Sequence, residues 1–116
     1  MNQYSQQEHT NQQRIAIARA LLRKPKILIL DDAFSSLDVE TEAKVLKNIR
    51  YYIQESTSII VTHRLSTIQN VDRIVVMENG RIVENGSHTD LIRKGGYYRR
   101  VSKSQMLARE MEILMQ

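Results

Sequence analysis

Cysteine is absent from the 116 residues. That excludes disulfides, thiolate metal sites and a cysteine nucleophile, and it suits a reducing compartment. Long apolar runs are absent too. No stretch approaches the roughly 20 residues needed to cross a bilayer, and the polar start MNQYSQQEHTNQQ has no apolar centre of the signal-peptide kind. Direct membrane insertion is therefore not expected, and a cytoplasmic location is. Proline occurs once, at Pro25, and glycine four times.

What is present is ordinary for a soluble globular protein: 41% hydrophobic and 26% charged residues, a balance that argues against extended disorder. The length suits one small domain with a modest core. The formal charge is +4. Basic residues mix with acids along the chain, apart from a cluster of Arg93, Lys94, Arg99, Arg100 and Lys103 around a Gly-Gly turn. No basic motif interleaved with aromatics accompanies them, so nucleic-acid binding is not expected.

Residues 1–11 show no apolar periodicity and read as a disordered or frayed lead-in. QQRIAIARALLR then places Ile15, Ala18 and Leu22 at helical spacing, with Pro25 ending the helix. KILIL, 26–30, reads as a buried parallel strand. Asp38 suits a helix cap, followed by Glu40 and Glu42 in the first turn and Lys44, Lys47 and Arg50 later, with Val39, Ala43, Leu46 and Ile53 as the buried side. SIIVTH, 58–63, is a second β-branched run that delivers His63 at its end, and a short helix over 65–69 should follow. Asn79-Gly80 predicts a hairpin between strands at 73–77 and 81–84. Ser87 or Thr89 can cap the next helix. Tyr97, Val101, Ala108, Met111 and Met115 make an apolar stripe on the last one, which either docks or is only amphipathic. Alternating strands and helices without an internal repeat point to one α/β unit.

An apolar strand ending in two carboxylates has a chemical use: the first is held rigidly enough to serve a Mg²⁺ ion, and the second can orient an attacking water. Singly, each feature also has a plain structural explanation. Acidic pairs start loops, a histidine after a strand is usually a surface residue, Asp38 is a helix cap, and RIAIARALL is a good amphipathic helix.

The order QQRIAIARALL, KILILDDA, SSLD and VTHR within one short stretch resembles the ATP-binding cassette (ABC) family. The resemblance covers residues 12 to about 104, and the tail GRIVENGSHTDLIRKGGYYRRV is similar to cassettes fused to export membrane domains. It implies an α/β fold: a partial P-loop NTPase of the ABC ATPase type, with a mostly parallel sheet, a C-terminal β-hairpin and helices, and the Walker A strand missing. Residues 12–104 would be the C-terminal part of the nucleotide-binding domain, and 105–116 a helical extension. By this resemblance Asp31 is the Walker B aspartate that binds Mg²⁺ through water, Asp32 stands in place of the catalytic glutamate, and His63 is the switch histidine at the γ-phosphate. Ser35, Ser36, Leu37 and Asp38 are the D-loop, which reaches the opposite ATP site of a dimer. Gln12, Gln13 and Arg14 follow the signature motif. ATP and Mg²⁺ are the implied cofactors, and a second nucleotide-binding domain and the transmembrane domains of an exporter are the implied partners. The implied location is the cytoplasm or the cytoplasmic face of a membrane.

The chain departs from the family in three places. No G-x-x-x-x-G-K-[ST] occurs in it, so it supplies neither the backbone cradle nor the lysine for phosphates. The signature position LSGGQ reads Gln7, Glu8, His9, Thr10 and Asn11, where a glutamate and bulky side chains should repel phosphate. Asp32 is one methylene shorter than glutamate; that withdraws its carboxylate by about an ångström, a misplacement on the order of 10²-fold in rate. Some heterodimeric multidrug exporters resemble this in the subunit of the degenerate site. In the family the Walker A strand lies between the strand ending at His63 and the strand at 73–77, so its absence implies open edges and marginal stability. The reading is a truncated exporter cassette that is not hydrolytic alone. The alternatives are an interaction module that completes another ABC subunit, or a DNA-associated ABC-type ATPase fragment, against which VTHR and the Gly-Tyr tail argue.

Overall fold

A computed structural model describes residues 3–116, without the side chains of Gln6, His9 and Thr10. The chain divides into two compact units, one ending at His63 and the other running from Arg64 to Gln116. The boundary expected at 104/105 instead falls inside a continuous helix.

The first unit opens with α1, Gln3–Leu22. This helix begins well before the expected start at residue 12, so from Gln3 onward the lead-in is helical; residues 1 and 2 lie outside the described residues. Polar Gln and Glu are good helix formers, and neither Gly nor Pro interrupts the stretch, so propensity sustains a helix that apolar periodicity does not mark. Helical spacing of Ile15, Ala18 and Leu22 does not by itself mark the buried side. Ile17 is buried and Ala20 and Leu21 pack against the same cluster, whereas Ile15 and Leu22 are exposed. RIAIARALL is apolar at most positions, so spacing alone leaves its phase open and packing selects it.

β1, Ile27–Asp31, pairs in parallel with β2, Thr57–Val61, with Ile29 opposite Ile59 and Asp31 opposite Val61. Between them α2, Val39–Tyr52, starts at Asp38, whose side chain accepts from the Thr41 N–H at 3.2 Å. Leu28 and Leu30 from one face of β1 form the core with Ile17, Phe34, Leu37, Leu46, Ile49 and Ile53. The other face is open: Ile27 and Ile29 are over 60% exposed, and Ile59 and Val61 about half. KILIL, expected as a buried parallel strand, is buried on one face, because two strands covered on one side bury only alternate residues. On α2 the buried positions are Glu42, Leu46 and Ile49, spaced four and three apart; of the expected side Leu46 and the following Ile53 are buried, whereas Ala43 is exposed and Glu42 takes the inward place.

The second unit contains α3, Leu65–Ile68, the antiparallel pair β3, Ile74–Glu78, and β4, Arg81–Gly86, then α4, His88–Lys94, and α5, Tyr97–Met115. Asn79 and Gly80 both have positive φ, 50° and 75°, as the tight hairpin turn requires. Ser87 caps α4 in a reciprocal box with Asp90, and Gly95 ends it in the left-handed region at φ 71°. Ile74, Leu91 and Tyr98 form the core, with Leu65, Ile68, Val71, Val76 and Ile92 against it. The aromatic that docks α5 is Tyr98, 1% exposed, while Tyr97, expected on the apolar stripe, faces solvent.

Among the described residues the four strands pair as two two-stranded sheets, one parallel and one antiparallel. This is the expected small α/β arrangement of a parallel sheet followed by a β-hairpin.

Candidate functional site at the end of the parallel sheet

Because β1 and β2 run parallel, the residues that follow them leave the sheet at one end. Asp31 closes β1, Asp32 follows directly, and His63 comes two residues after Val61. The Asp32 N–H donates to the Val61 carbonyl at 2.9 Å, extending the ladder one residue past the strand. Asp32 also takes φ 51°, a left-handed conformation that Asp tolerates better than most side chains. The chain therefore turns sharply there, and Phe34 and Leu37 drop into the core. Asp31, Asp32 and His63 are all exposed.

The four residues matched to the D-loop have two fates. Leu37 is buried and Asp38 is the cap of α2, with hydrogen bonding from Thr41 holding its carboxyl below the ordinary value of 3.8. Ser35 and Ser36 are exposed and are tied to α1. Gln13 Nε2 donates to Ser35 Oγ at 3.0 Å, and Gln13 Oε1 accepts from the Ser36 hydroxyl at 2.6 Å and from the Ser36 N–H at 3.2 Å. This clasp was not anticipated. The available signal was position: Gln13 lies one turn before Ile17, on the side of α1 that turns toward the core.

A cleft of about 300 Å³ lies where α1 meets the end of β1, lined by Gln13, Ala16, Ile17 and Ala20 on one side and by Ile29 to Ala33 on the other. Asp31, Asp32 and Gln13 thus share one concavity. Among the described residues no group of three or more His, Asp or Glu side chains is placed to hold a metal ion, and no helix is long and apolar enough to cross a membrane. Tested against Mg²⁺ and ATP, this donor set falls short: it offers carboxylates to a metal but no cradle of N–H groups and no lysine for the phosphates. The signature position 7–11 lies within α1, where backbone N–H groups are committed to the helix. The side chains of His9 and Thr10 there lie outside the described residues.

A short parallel sheet that sends an acidic pair and a histidine from one end, with a hairpin unit downstream, defines part of a P-loop-type nucleotide-binding module. Comparisons with known proteins make this specific. The chain is 55% identical over 86 residues to ABC transporter B family member 14 of Arabidopsis thaliana, a match covering 74% of the chain and 7% of that protein. It is 50% identical over 93 residues to the ATP-dependent lipid A-core flippase of Methylobacillus flagellatus (80% and 16%). It is 48% identical over 95 residues to a probable multidrug resistance ABC transporter ATP-binding/permease protein of Bacillus subtilis (82% and 16%). Among solved structures, a bacterial Atm1-family ABC exporter with ATP bound superposes with a TM-score of 0.77 at 45% identity, covering 81% of this chain and 17% of that one. No protein-family model matches the chain. The chain belongs to the ABC transporter family, on the exporter side of it, and spans less than a fifth of the length of the relatives it matches.

Proposed function

We propose that this chain contributes the Walker B, D-loop and switch-histidine side of an ABC exporter ATPase site and is not hydrolytic by itself. The observation that carries the reading is the delivery of Asp31, Asp32 and His63 from one end of the β1–β2 sheet, with Gln13 and Ser36 joined beside them. In this reading Asp31 serves Mg²⁺, Asp32 occupies the place of the catalytic base and His63 faces the γ-phosphate, while Ser35 and Ser36 address the site of a second nucleotide-binding domain. The phosphate loop comes from polypeptide outside these residues. Asp32 in place of glutamate suits the degenerate site of a heterodimeric exporter, and the assembled location is the cytoplasmic face of a membrane carrying the transmembrane domains.

The open apolar face of Ile27, Ile29, Ile59 and Val61 favours a related second reading, in which the chain completes another ABC subunit as a separate module. Binding of a fluorescent ATP analogue with Mg²⁺ tests the main proposal. The 116-residue chain alone should show no binding up to millimolar nucleotide, and binding should appear when a polypeptide carrying the front half of an exporter cassette is added. Micromolar binding by the chain alone would overturn it. Co-purification with that polypeptide would support the second reading.

A further inference from the structure

α3 begins without a side-chain cap of its own. Its N-cap is Arg64, extended at φ −90° and ψ 99°, and a guanidinium carries donors only, so it makes no capping bond to the first turn. The acceptor comes instead from 40 residues away: Gln105 Oε1 on α5 accepts from the Leu65 N–H at 3.0 Å. A helix of one turn has little cooperative stability of its own, and none of the residues of α3 is fully buried. Leu65 and Ile68 pack against the cluster of Ile74, Leu91 and Tyr98, and Gln105 adds a polar hold to that apolar one.

The place of Gln105 is itself fixed. Tyr98, Ser102 and Gln105 follow at spacings of four and three and share one side of α5. Tyr98 is buried, and its N–H and hydroxyl lie 2.8 Å from the Glu84 carboxylate and from His88 Nδ1. α5 cannot turn about its axis without breaking both bonds, so Gln105, about 10 Å further along, is carried to the start of α3.

His63 stands two residues before Leu65. Upstream of it Val61 is held in the sheet, paired with Asp31, and its carbonyl accepts from the Asp32 N–H at 2.9 Å. Three residues, Thr62, His63 and Arg64, separate that carbonyl from the Leu65 N–H, so both ends of the short segment carrying the histidine are hydrogen-bonded. We infer that Gln105 is a positioning residue for His63: the last helix holds the strand-to-helix segment that presents the histidine, and loss of that bond loosens His63 while leaving Asp31 and Asp32 in place. The consequence for nucleotide rests on the reading of His63 as facing a γ-phosphate; the positional claim stands apart from it.

Nuclear magnetic resonance of the full 116-residue chain tests the position without nucleotide. In Gln105→Ala the Leu65 amide should exchange at least about threefold faster. The His63 ring resonances should move toward those of an unstructured histidine, whereas those of His88, bonded to Tyr98, should stay where they are. Gln105→Glu keeps an acceptor oxygen and places negative charge at a helix N-terminus, so it should restore both signals. Gln105 is exposed, so circular dichroism should be unchanged in either variant. An unmoved His63 in Gln105→Ala, an equal displacement of His88, or no recovery in Gln105→Glu would each overturn the inference. When a polypeptide carrying the front half of an exporter cassette is added, Gln105→Ala should lower the preference for a fluorescent ATP analogue over its ADP counterpart about fivefold. ADP binding should not change, because only the γ-phosphate contact is affected. An unchanged preference would overturn the link from Gln105 to nucleotide. A wild-type mixture that binds neither nucleotide would sink the ATPase-site reading instead, and the Leu65 and His63 signals would still decide the position.

Discussion

Gln13 and Ser36 are joined by two hydrogen bonds to a single carbonyl oxygen, one from the serine hydroxyl at 2.6 Å and one from its N–H at 3.2 Å, across 23 residues of sequence. The clasp fixes the loop between Asp32 and α2 to the first helix. Gln13→Ala should expose the Ser36 amide and speed its hydrogen exchange at a stability cost of about 1 kcal/mol, because the bonds are exposed and water replaces them in part. Gln13→Glu retains the acceptor for Ser36 and loses the donor to Ser35, so Ser36 protection should largely survive. Equal loss of protection in both variants would remove the acceptor role.

Glu84 performs a comparable task in the second unit. It is buried on β4, and its carboxylate accepts from the Tyr98 N–H at 2.8 Å, satisfying a backbone donor at the start of α5. A Cβ at Gly96 would overlap Glu84 Oε1. Gly96→Ala should therefore displace the carboxylate and destabilise the fold by about 1–3 kcal/mol, read as a lowered Tm. Gly80→Ala is the contrasting case: it meets no steric neighbour and is costly only through its φ of 75°.

The capping box at Ser87 and Asp90 makes stability sensitive to acid. Hydrogen bonding from Ser87 is the main reason the Asp90 carboxyl titrates below its ordinary value of 3.8, with Arg93 assisting. A carboxyl depressed on folding contributes stability that is fully present above its unfolded value and is lost as pH falls through the folded one. The wild-type chain should therefore lose stability below about pH 4, and Asp90→Asn should be less stable at neutral pH with a flatter acid limb. Chemical denaturation at a series of pH values checks this, and identical slopes would contradict it.

At the other end of the pH scale the reporter is Tyr98, whose phenol burial pushes above its ordinary value of 10.0 and whose hydroxyl lies 2.8 Å from His88 Nδ1. A group with a raised folded value contributes stability that is fully present below pH 10 and lost as pH rises through the folded value. Tyr98→Phe should abolish that alkaline loss while lowering stability at neutral pH by about 1 kcal/mol for the lost hydrogen bond. Denaturation curves between pH 8 and 12 would reveal it, and an unchanged alkaline limb would assign the loss to other groups.

The open face of the parallel sheet predicts poor solution behaviour. Ile29 is 63% exposed and pairs with Ile59 beside it. Ile29→Lys should raise the concentration at which the chain aggregates and change Tm by less than about 0.5 kcal/mol equivalent, because the residue leaves no cavity. A large loss of Tm would mean that the face is packed in solution.

Local chemistry determined a good deal of this molecule. Pro25 after an apolar helix, β-branched runs at 58–61, Asn79-Gly80 at the hairpin and Ser87 with Asp90 each act within a few residues, and the elements form where those signals stand. The motif order around Asp31, Asp32, Asp38 and His63 is likewise a property of the chain. The tertiary structure decided the phase of each helix and the pairing of distant polar groups. Ile17 rather than Ile15 faces the core, Glu42 rather than Ala43 lies inside and Tyr98 rather than Tyr97 is buried. These choices depend on which surface each helix meets, and in segments apolar or polar at neighbouring positions several faces are equally good until another element arrives. Gln13 with Ser36 and Glu84 with Tyr98 belong to the same category, since a hydrogen bond across 23 or 14 residues exists only once packing has closed the loop between its partners.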